Sequence, residues 1–143
     1  MGLAESLCEA RGLRFTAWRR RIFEMLCETD RPMSAYEMVD QIVRRGGPAV
    51  AAPTIYRSLE FLMAQGLVSR IESRNAFVAC AEPARPHASV FFLCGECGDA
   101  HESEDVSLEK RLARDAASLG FEMTRRVVEV EGTCRRCQNS RPN

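Results

Sequence analysis

The first half of the chain alternates apolar and polar positions with the period of an α-helix, in four successive segments. The first segment begins near Leu3 and breaks at Gly12. The second follows Thr16 as its N-cap and ends before Asp30. Its predicted apolar side is formed by Trp18, Ile22, Met25 and Leu26.

The third segment opens with Ser34-Ala35-Tyr36-Glu37, a capping box that predicts a helix start. The helix is predicted to end at Gly46-Gly47-Pro48. Four apolar residues are predicted to be buried along it: Met38, Val39, Ile42 and Val43.

The fourth segment has a narrow apolar stripe and a polar opposite face. Pro53 fits the first turn of a helix, because the N–H that proline lacks has no partner there. The stripe consists of Ile55, Leu59 and Leu62, and the polar face consists of Thr54, Tyr56, Arg57 and Glu60.

After Gly66 the pattern changes to two short strands, residues 67–71 and 76–79, joined by a polar turn. Three helices followed by a two-stranded wing predict a winged helix-turn-helix. In that arrangement the last helix enters the DNA major groove, so Thr54, Tyr56 and Arg57 are candidate DNA contacts. The alternative, that Tyr56 and Arg57 are a surface pair on a helical core, stays open.

The second half begins after a proline-rich hinge, Glu82-Pro83-Ala84-Arg85-Pro86. Strands are predicted at residues 90–93, 100–104 and 127–130, with an amphipathic helix over 108–119. The expected fold class is therefore α+β. A winged-helix domain would span residues 1–82, a small α/β domain residues 88–143, and the hinge about 80–87.

Composition sets further limits on the function. The 143 residues carry no net charge, no long apolar run and no apolar signal stretch at Met1-Gly2-Leu3-Ala4-Glu5. We therefore expect a cytoplasmic protein without a membrane partner. Five arginines occur with no acid among them, which suits phosphate contact or a solvated helix face: Arg11, Arg14, Arg19, Arg20 and Arg21.

Four of the seven cysteines form two Cys-x-x-Cys pairs, Cys94 with Cys97 and Cys134 with Cys137. Two such turns supply a tetrahedral thiolate set for Zn²⁺. Disulfides fit less well, because an odd cysteine would remain, and thioredoxin-like redox chemistry needs one motif at a helix start. Four thiolates leave no open coordination position, so a structural rather than a catalytic zinc site is predicted.

The ordered combination of motifs resembles the ferric uptake regulator family. Four segments carry the resemblance: Pro53-Thr54-Ile55-Tyr56-Arg57-Ser58-Leu59, Gly66-Leu67-Val68, Phe92-Leu93-Cys94-Gly95-Glu96-Cys97-Gly98 and the pair Cys134 and Cys137. Four more are similar to its zinc-responsive branch: Ser34-Ala35-Tyr36, Ile71-Glu72-Ser73, Phe77-Val78-Ala79-Cys80 and the single His87 before Cys94.

The resemblance implies a zinc-responsive repressor that controls zinc uptake genes and is not an enzyme. It would bind palindromic, double-stranded operator DNA as a zinc-loaded homodimer, with the C-terminal α/β domain as the dimerisation domain. By position, Tyr36 and Arg57 match residues that such regulators place against operator bases. Arg19 matches a family arginine, although Thr16-Ala17-Trp18-Arg19 departs from the usual Thr-Pro-Gln-Arg.

The resemblance also implies a second, regulatory zinc site and hence two zinc ions per subunit. Cys80, His87 and Glu102 match family sensor positions and offer S, N and O ligands. Ser69 stands where a fourth ligand, a histidine, is expected, and His101 is the substitute candidate. Because His101 and Glu102 are adjacent on a predicted strand, they would face opposite sides unless a bulge or water intervened. Each residue also has a purely structural reading: Cys80 as a small buried hydrophobe, and the others as surface groups.

Three other functions stay open. An iron-, manganese- or peroxide-responsive regulator of the same family would usually carry a histidine-rich stretch where this chain has Arg85-Pro86-His87-Ala88-Ser89. A zinc enzyme such as a deaminase would need His-x-Glu with Pro-Cys-x-x-Cys, and neither occurs, so no small-molecule substrate is expected. The third alternative is a zinc-stabilised interaction module that does not bind DNA.

Overall fold

The protein divides into two compact units, Met1–Pro86 and His87–Asn143. The computed structural model describes residues 2–80 and 89–142. The N-terminal unit contains α1 (Gly2–Ala10), α2 (Ala17–Cys27), α3 (Ala35–Arg44), α4 (Ala52–Ala64), β1 (Val68–Ile71) and β2 (Ala76–Ala79). The C-terminal unit contains β3 (Ser89–Cys94), β4 (Ala100–Glu104), α5 (Val106–Ser118), β5 (Glu129–Gly132) and α6 (Arg135–Asn139). This confirms the predicted α+β class, and no helix of the described ranges is long and apolar enough to cross a membrane.

Side-chain caps fix the starts of α2 and α3. The Thr16 hydroxyl accepts a hydrogen bond from the backbone N–H of Arg19. At Ser34 the capping box is complete: its hydroxyl accepts from the Glu37 N–H at 3.2 Å, and the Glu37 carboxylate accepts from the Ser34 N–H at 2.6 Å. Both predicted helix starts are confirmed. By contrast, α4 follows Ala51 and has no side-chain cap.

The core of the N-terminal unit forms where the apolar sides of α2, α3 and α4 meet. Its central residues are between 0% and 1% exposed: Ile22, Leu26, Met38, Ile42, Ile55, Leu59 and Leu62. The predicted burial of Val43 is wrong, since this side chain is 55% exposed. Each helical residue is rotated by about 100° from the previous one, so once Ile42 faces the core Val43 faces solvent.

A two-stranded antiparallel wing follows α4, with Val68 opposite Ala79 and Ile71 opposite Ala76. A 3₁₀ turn over Glu72–Arg74 connects the strands, and Asn75 takes the left-handed conformation with φ 46°. Asparagine tolerates this conformation better than most residues. The sequence predicted a polar turn here, but not the 3₁₀ turn or the left-handed conformation of Asn75.

The wing is fastened to the entry of α3. Met33 and Phe77 exchange two backbone hydrogen bonds, with N···O distances of 3.0 and 2.9 Å. Phe77 is 1% exposed and belongs to the core. The position of the wing is therefore set by core packing as well as by its own strand pairing.

In the C-terminal unit a three-stranded sheet has the order β4-β3-β5. The central strand β3 runs antiparallel to β4 and parallel to β5, and Cys94 at its end lies opposite Gly132. The last strand had been predicted over residues 127–130 but lies at Glu129–Gly132. It ends level with β3, since Cys94 lies opposite Gly132, and each of the two strands leads into one cysteine pair.

The apolar side of α5 is only half-buried within the chain. Leu108, Leu112 and Ala116 are intermediate in exposure, and Leu119 is 81% exposed. Other exposed apolar side chains accompany it in this unit. Together with Leu119 they define the C-terminal apolar surface: Phe92, Val106, Phe121, Met123, Val127 and Val130.

Candidate metal centre and nucleic-acid interface

The two cysteine pairs converge into one cluster. The Sγ atoms of Cys94, Cys97, Cys134 and Cys137 all lie within 4.8 Å of one another, and those of Cys97 and Cys134 are 3.8 Å apart. Four sulfurs bound tetrahedrally at 2.3 Å to one zinc ion are separated by about 3.8 Å. The donor set and its spacing therefore fit zinc.

Strand pairing brings these cysteines together. Cys94 ends β3, and the Gly95 N–H donates to the Gly132 carbonyl at 2.9 Å, across the gap to the end of β5. The first pair sits on a tight turn in which the Gly98 N–H donates to the Cys94 carbonyl at 3.1 Å. Cys134 is the N-cap of α6, a short helix that the sequence pattern did not predict.

Two thiols of the cluster have pKa values shifted in opposite directions, because their hydrogen bonds and burial differ. Backbone N–H groups of Cys134, Cys97 and Glu96 donate to the Cys94 sulfur and lower the pKa of that thiol to about 6. The hydrogen bond to the Cys134 sulfur, followed by burial, raises the pKa of Cys137 to about 12. A divalent cation would supply the positive charge that lets all four sulfurs ionise.

Two ion pairs that the sequence analysis missed surround the cluster. Arg136 Nη2 lies 2.8 Å from Asp99 Oδ2, and Arg141 Nε lies 3.0 Å from Glu96 Oε1. Both pairs join a residue at the second cysteine pair to a residue at the first. The sequence does show opposite charges near the two motifs. Which of these charges pair depends on how the sheet brings the motifs together.

The predicted sensor residues His101 and Glu102 lie side by side on β4, opposite Phe92 and Phe91 of β3. The β3–β4 register is continuous from Ser89 to Leu93, which leaves no bulge at this point. Adjacent residues of a regular strand project to opposite faces, so His101 and Glu102 do not share a face. His101 lines a cavity of about 220 Å³ with Cys94 and Cys134, within the C-terminal unit.

Cys80 lies just after β2 and is buried, at 7% exposure. Its N–H donates to the Leu67 carbonyl at 2.9 Å, which holds it beside the first wing strand. The Cys80 Sγ is 3.2 Å from the Ser69 Oγ. His87, the remaining predicted sensor residue, lies outside the described residues.

The candidate DNA contacts differ in how far their side chains are exposed or packed against the rest of the unit. Arg57 of α4 is exposed, and Tyr36 in the first turn of α3 is 71% exposed. Thr54 is half-buried. Tyr56 had been predicted on the polar face of α4, but it is half-buried and its ring packs edge-on against Phe77, with centroids 6.4 Å apart.

Arg19 is held within the N-terminal unit. Its guanidinium carbon lies 3.5 Å from the centroid of the Phe61 ring, and the guanidinium donates to the Arg14 carbonyl. Arg19 therefore links α2 to α4, a structural role that its position in the sequence did not predict.

Residues 10–131 match the ferric uptake regulator family. The chain belongs to this family. It is 35% identical over 135 residues to the zinc uptake regulation protein of Escherichia coli strain K12, covering 94% of this chain and 78% of that protein. Its identity to the zinc uptake regulation protein of Mycobacterium tuberculosis strain H37Rv is 30% over 133 residues, covering 91% and 98%.

Solved structures agree with the sequence relatives. A zinc uptake regulator complexed with zinc and DNA matches with a TM-score of 0.91 at 34% identity, over 96% of this chain and 92% of that one. The crystal structure of holo XcZur matches with a TM-score of 0.88 at 38% identity, over 96% of both chains. The predicted resemblance to this family, and to its zinc uptake regulators, is confirmed.

Replacing one cluster sulfur tests the metal centre. We expect Cys97→Ser to lower the zinc content of the purified protein by one ion per chain, because a hydroxyl is a much weaker zinc ligand than a thiolate. Zinc would be measured by atomic emission, and the fold of the C-terminal unit by circular dichroism. Cys27→Ser is the matched control, since Cys27 is exposed and lies outside the cluster. Equal zinc content in the two variants would contradict the assignment.

Proposed function

We propose that this protein is a zinc-responsive transcriptional repressor that binds palindromic operator DNA as a zinc-loaded homodimer and controls zinc uptake genes in the cytoplasm. The observation that carries the proposal is the full-length match to a zinc uptake regulator complexed with zinc and DNA. The thiolate cluster with zinc spacing supports it independently. As a member of a family of regulators, the chain acts through binding and not through catalysis.

The four-cysteine cluster is the proposed structural zinc site, formed by Cys94, Cys97, Cys134 and Cys137. Four thiolates complete the coordination of zinc and leave no position for substrate or water. The role of the metal is then to hold the ends of β3 and β5 together.

The C-terminal apolar surface supports the proposed homodimer. Leu119 and Phe121 are 81% and 67% exposed, and α5 has no buried residue within the chain. Exposed apolar side chains that cluster into a patch mark protein–protein interaction sites. A second copy of the chain would bury it, with the same patch used on both subunits.

The winged helix of the N-terminal unit is the proposed DNA-binding surface. Arg57, exposed on α4, would donate bidentately to a guanine edge, and the exposed Tyr36 would reach the DNA from the start of α3. Thr54 is assigned to the same surface. Tyr56 would contribute through the part of its ring that Phe77 leaves uncovered. For Arg19 we propose support of α4 through Phe61 in place of a base contact.

The proposed regulatory zinc site is built from Cys80, His87 and Glu102, which would bring the count to two zinc ions per subunit. His101 is a poor fourth ligand, because it faces away from Glu102. Ser69 is the better-placed neighbour, since its hydroxyl lies 3.2 Å from the Cys80 sulfur. We infer a three-residue site in which water or the Ser69 hydroxyl takes the fourth position.

The alternative function is an iron-, manganese- or peroxide-responsive regulator of the same family. Thiolate ligands favour zinc over the harder Fe²⁺ and Mn²⁺ ions, which prefer carboxylate, imidazole and water. The presence of Cys80 therefore favours zinc.

A titration against buffered metal tests the proposed function. We expect operator DNA to be bound only as free Zn²⁺ rises, because zinc at the second site selects the DNA-competent state. Fluorescence anisotropy would compare a palindromic operator with random DNA at equal salt. Parallel titrations with Fe²⁺ and Mn²⁺ distinguish the alternative. Equal affinity for both DNAs in zinc-loaded protein would rule out a sequence-specific repressor.

A substitution in α4 tests the recognition helix. We expect Arg57→Ala to lower operator affinity by about 1 to 3 kcal/mol, the usual contribution of a bidentate base contact, and to change affinity for random DNA much less. Arg45→Ala is the control, since Arg45 belongs to the same unit but is paired with Glu28 at 2.8 Å. Unchanged operator binding by Arg57→Ala would remove α4 from the recognition surface.

A histidine at position 69 tests the regulatory site. We expect Ser69→His to raise the affinity of that site for zinc by about 10-fold or more, because an imidazole would add a fourth protein ligand. Competition with a fluorescent zinc chelator, on protein that retains its structural zinc, gives the affinity. Arg70→His is the control, since the neighbouring strand position faces the other side of the wing. Equal affinities for the two variants would place Ser69 away from the metal.

A further inference from the structure

Two arginines of the C-terminal segment reach back to the first cysteine pair. Arg136 lies between Cys134 and Cys137, and its Nη2 is 2.8 Å from Asp99 Oδ2. The Asp99 side chain is only 14% exposed. Arg141, two residues beyond α6, donates through Nε to Glu96 Oε1 at 3.0 Å. The second pair is thereby tied to the first by charge as well as by any shared metal.

The charge of a zinc-loaded cluster explains what these arginines would do. Four thiolates around one divalent ion carry a net charge of about −2. A guanidinium held beside the cluster offsets part of this charge. Interaction with the nearby Cys97 sulfur, followed by the charges of Asp99, Cys97 and Cys134, raises the pKa of the Arg136 guanidinium.

We propose that Arg136 is a positioning residue for the structural zinc: its ion pair with Asp99 locks the second cysteine pair onto the first and holds a positive charge beside the thiolates, which slows loss of the metal. This inference rests on the proposed structural zinc site. Residues that support metal ligands from outside the coordination shell commonly change metal affinity by about 10- to 100-fold.

The effect is expected in metal retention and not in folding. Arg136 is two-thirds exposed, and exposed ion pairs add little to folding stability. The Arg136–Asp99 pair acts where the two cysteine pairs must separate for zinc to leave, so its removal speeds zinc release without unfolding the chain.

The experiment compares Arg136→Gln with Arg135→Gln in the full chain. Arg135 is the matched control, because it is the neighbouring residue in the same motif, is exposed, and makes no ion pair among residues 2–80 and 89–142. Both variants are made in a Cys80→Ser background, so that metal release reports the four-cysteine cluster. Zinc release to excess chromogenic chelator is followed by absorbance, after zinc content has been measured.

We expect Arg136→Gln to release zinc about 10-fold faster than Arg135→Gln. Arg136→Lys should release zinc more slowly than Arg136→Gln, because it retains a charged donor. In cobalt-substituted protein the sulfur-to-metal charge-transfer band should move to longer wavelength in Arg136→Gln alone, since the nearby positive charge lowers the energy of the sulfur lone pairs.

Release rates within two-fold of each other for Arg136→Gln and Arg135→Gln, with unshifted cobalt bands, would overturn the inference. If Arg136→Gln fails to fold by circular dichroism, Asp99→Asn takes its place. That variant removes the anchor and should also release zinc faster, and a rate equal to that of Arg135→Gln would likewise overturn the inference. Absence of zinc from the cluster of the parent protein would instead refute the proposed structural site.

Discussion

The pairing of β3 with β5 is the contact on which the C-terminal unit depends. Within the described part of that unit, the buried side chains are those of Val90, Phe91, Leu93 and Cys94. So small a core stabilises a fold weakly, and small domains commonly compensate with a metal or with a second subunit. The parallel pairing places both cysteine pairs at one end of the sheet. A zinc ion bound there would add the stability that the small core does not provide. A second subunit would bury the exposed apolar surface.

The N-terminal unit is organised differently, because it has a larger buried core of its own. The helices α2, α3 and α4 each contribute fully buried side chains, and the wing is tied to that core through Phe77 and its backbone bonds to Met33. Cys80 and Ser69 lie on this same wing, 3.2 Å apart. A zinc ion bound at Cys80 would therefore act on an element that is continuous with the proposed DNA-binding surface. That continuity gives a physical basis for control of DNA binding by metal.

The sequence predicted local features that depend on neighbouring residues. The cap at Thr16 and the capping box at Ser34 need only a few adjacent side chains, and both were found as predicted. Errors arose where a residue's environment depends on distant parts of the chain. Val43 was assigned to the core from its apolar character, and Tyr56 to the polar face from its position on α4. Packing against the neighbouring elements decided both.

The metal site shows the same contrast between local features and features that depend on distant parts of the chain. The sequence by itself determined that two Cys-x-x-Cys pairs exist and that their four thiolates suit zinc, because ligand chemistry and the spacing within each pair are local properties. Tertiary structure decided that the pairs meet, through the alignment of Cys94 with Gly132. It also decided that Arg136 pairs with Asp99 and that no bulge interrupts β4 at His101 and Glu102. These outcomes depend on strand register and order, which join residues dozens of positions apart and have no local signature in the sequence.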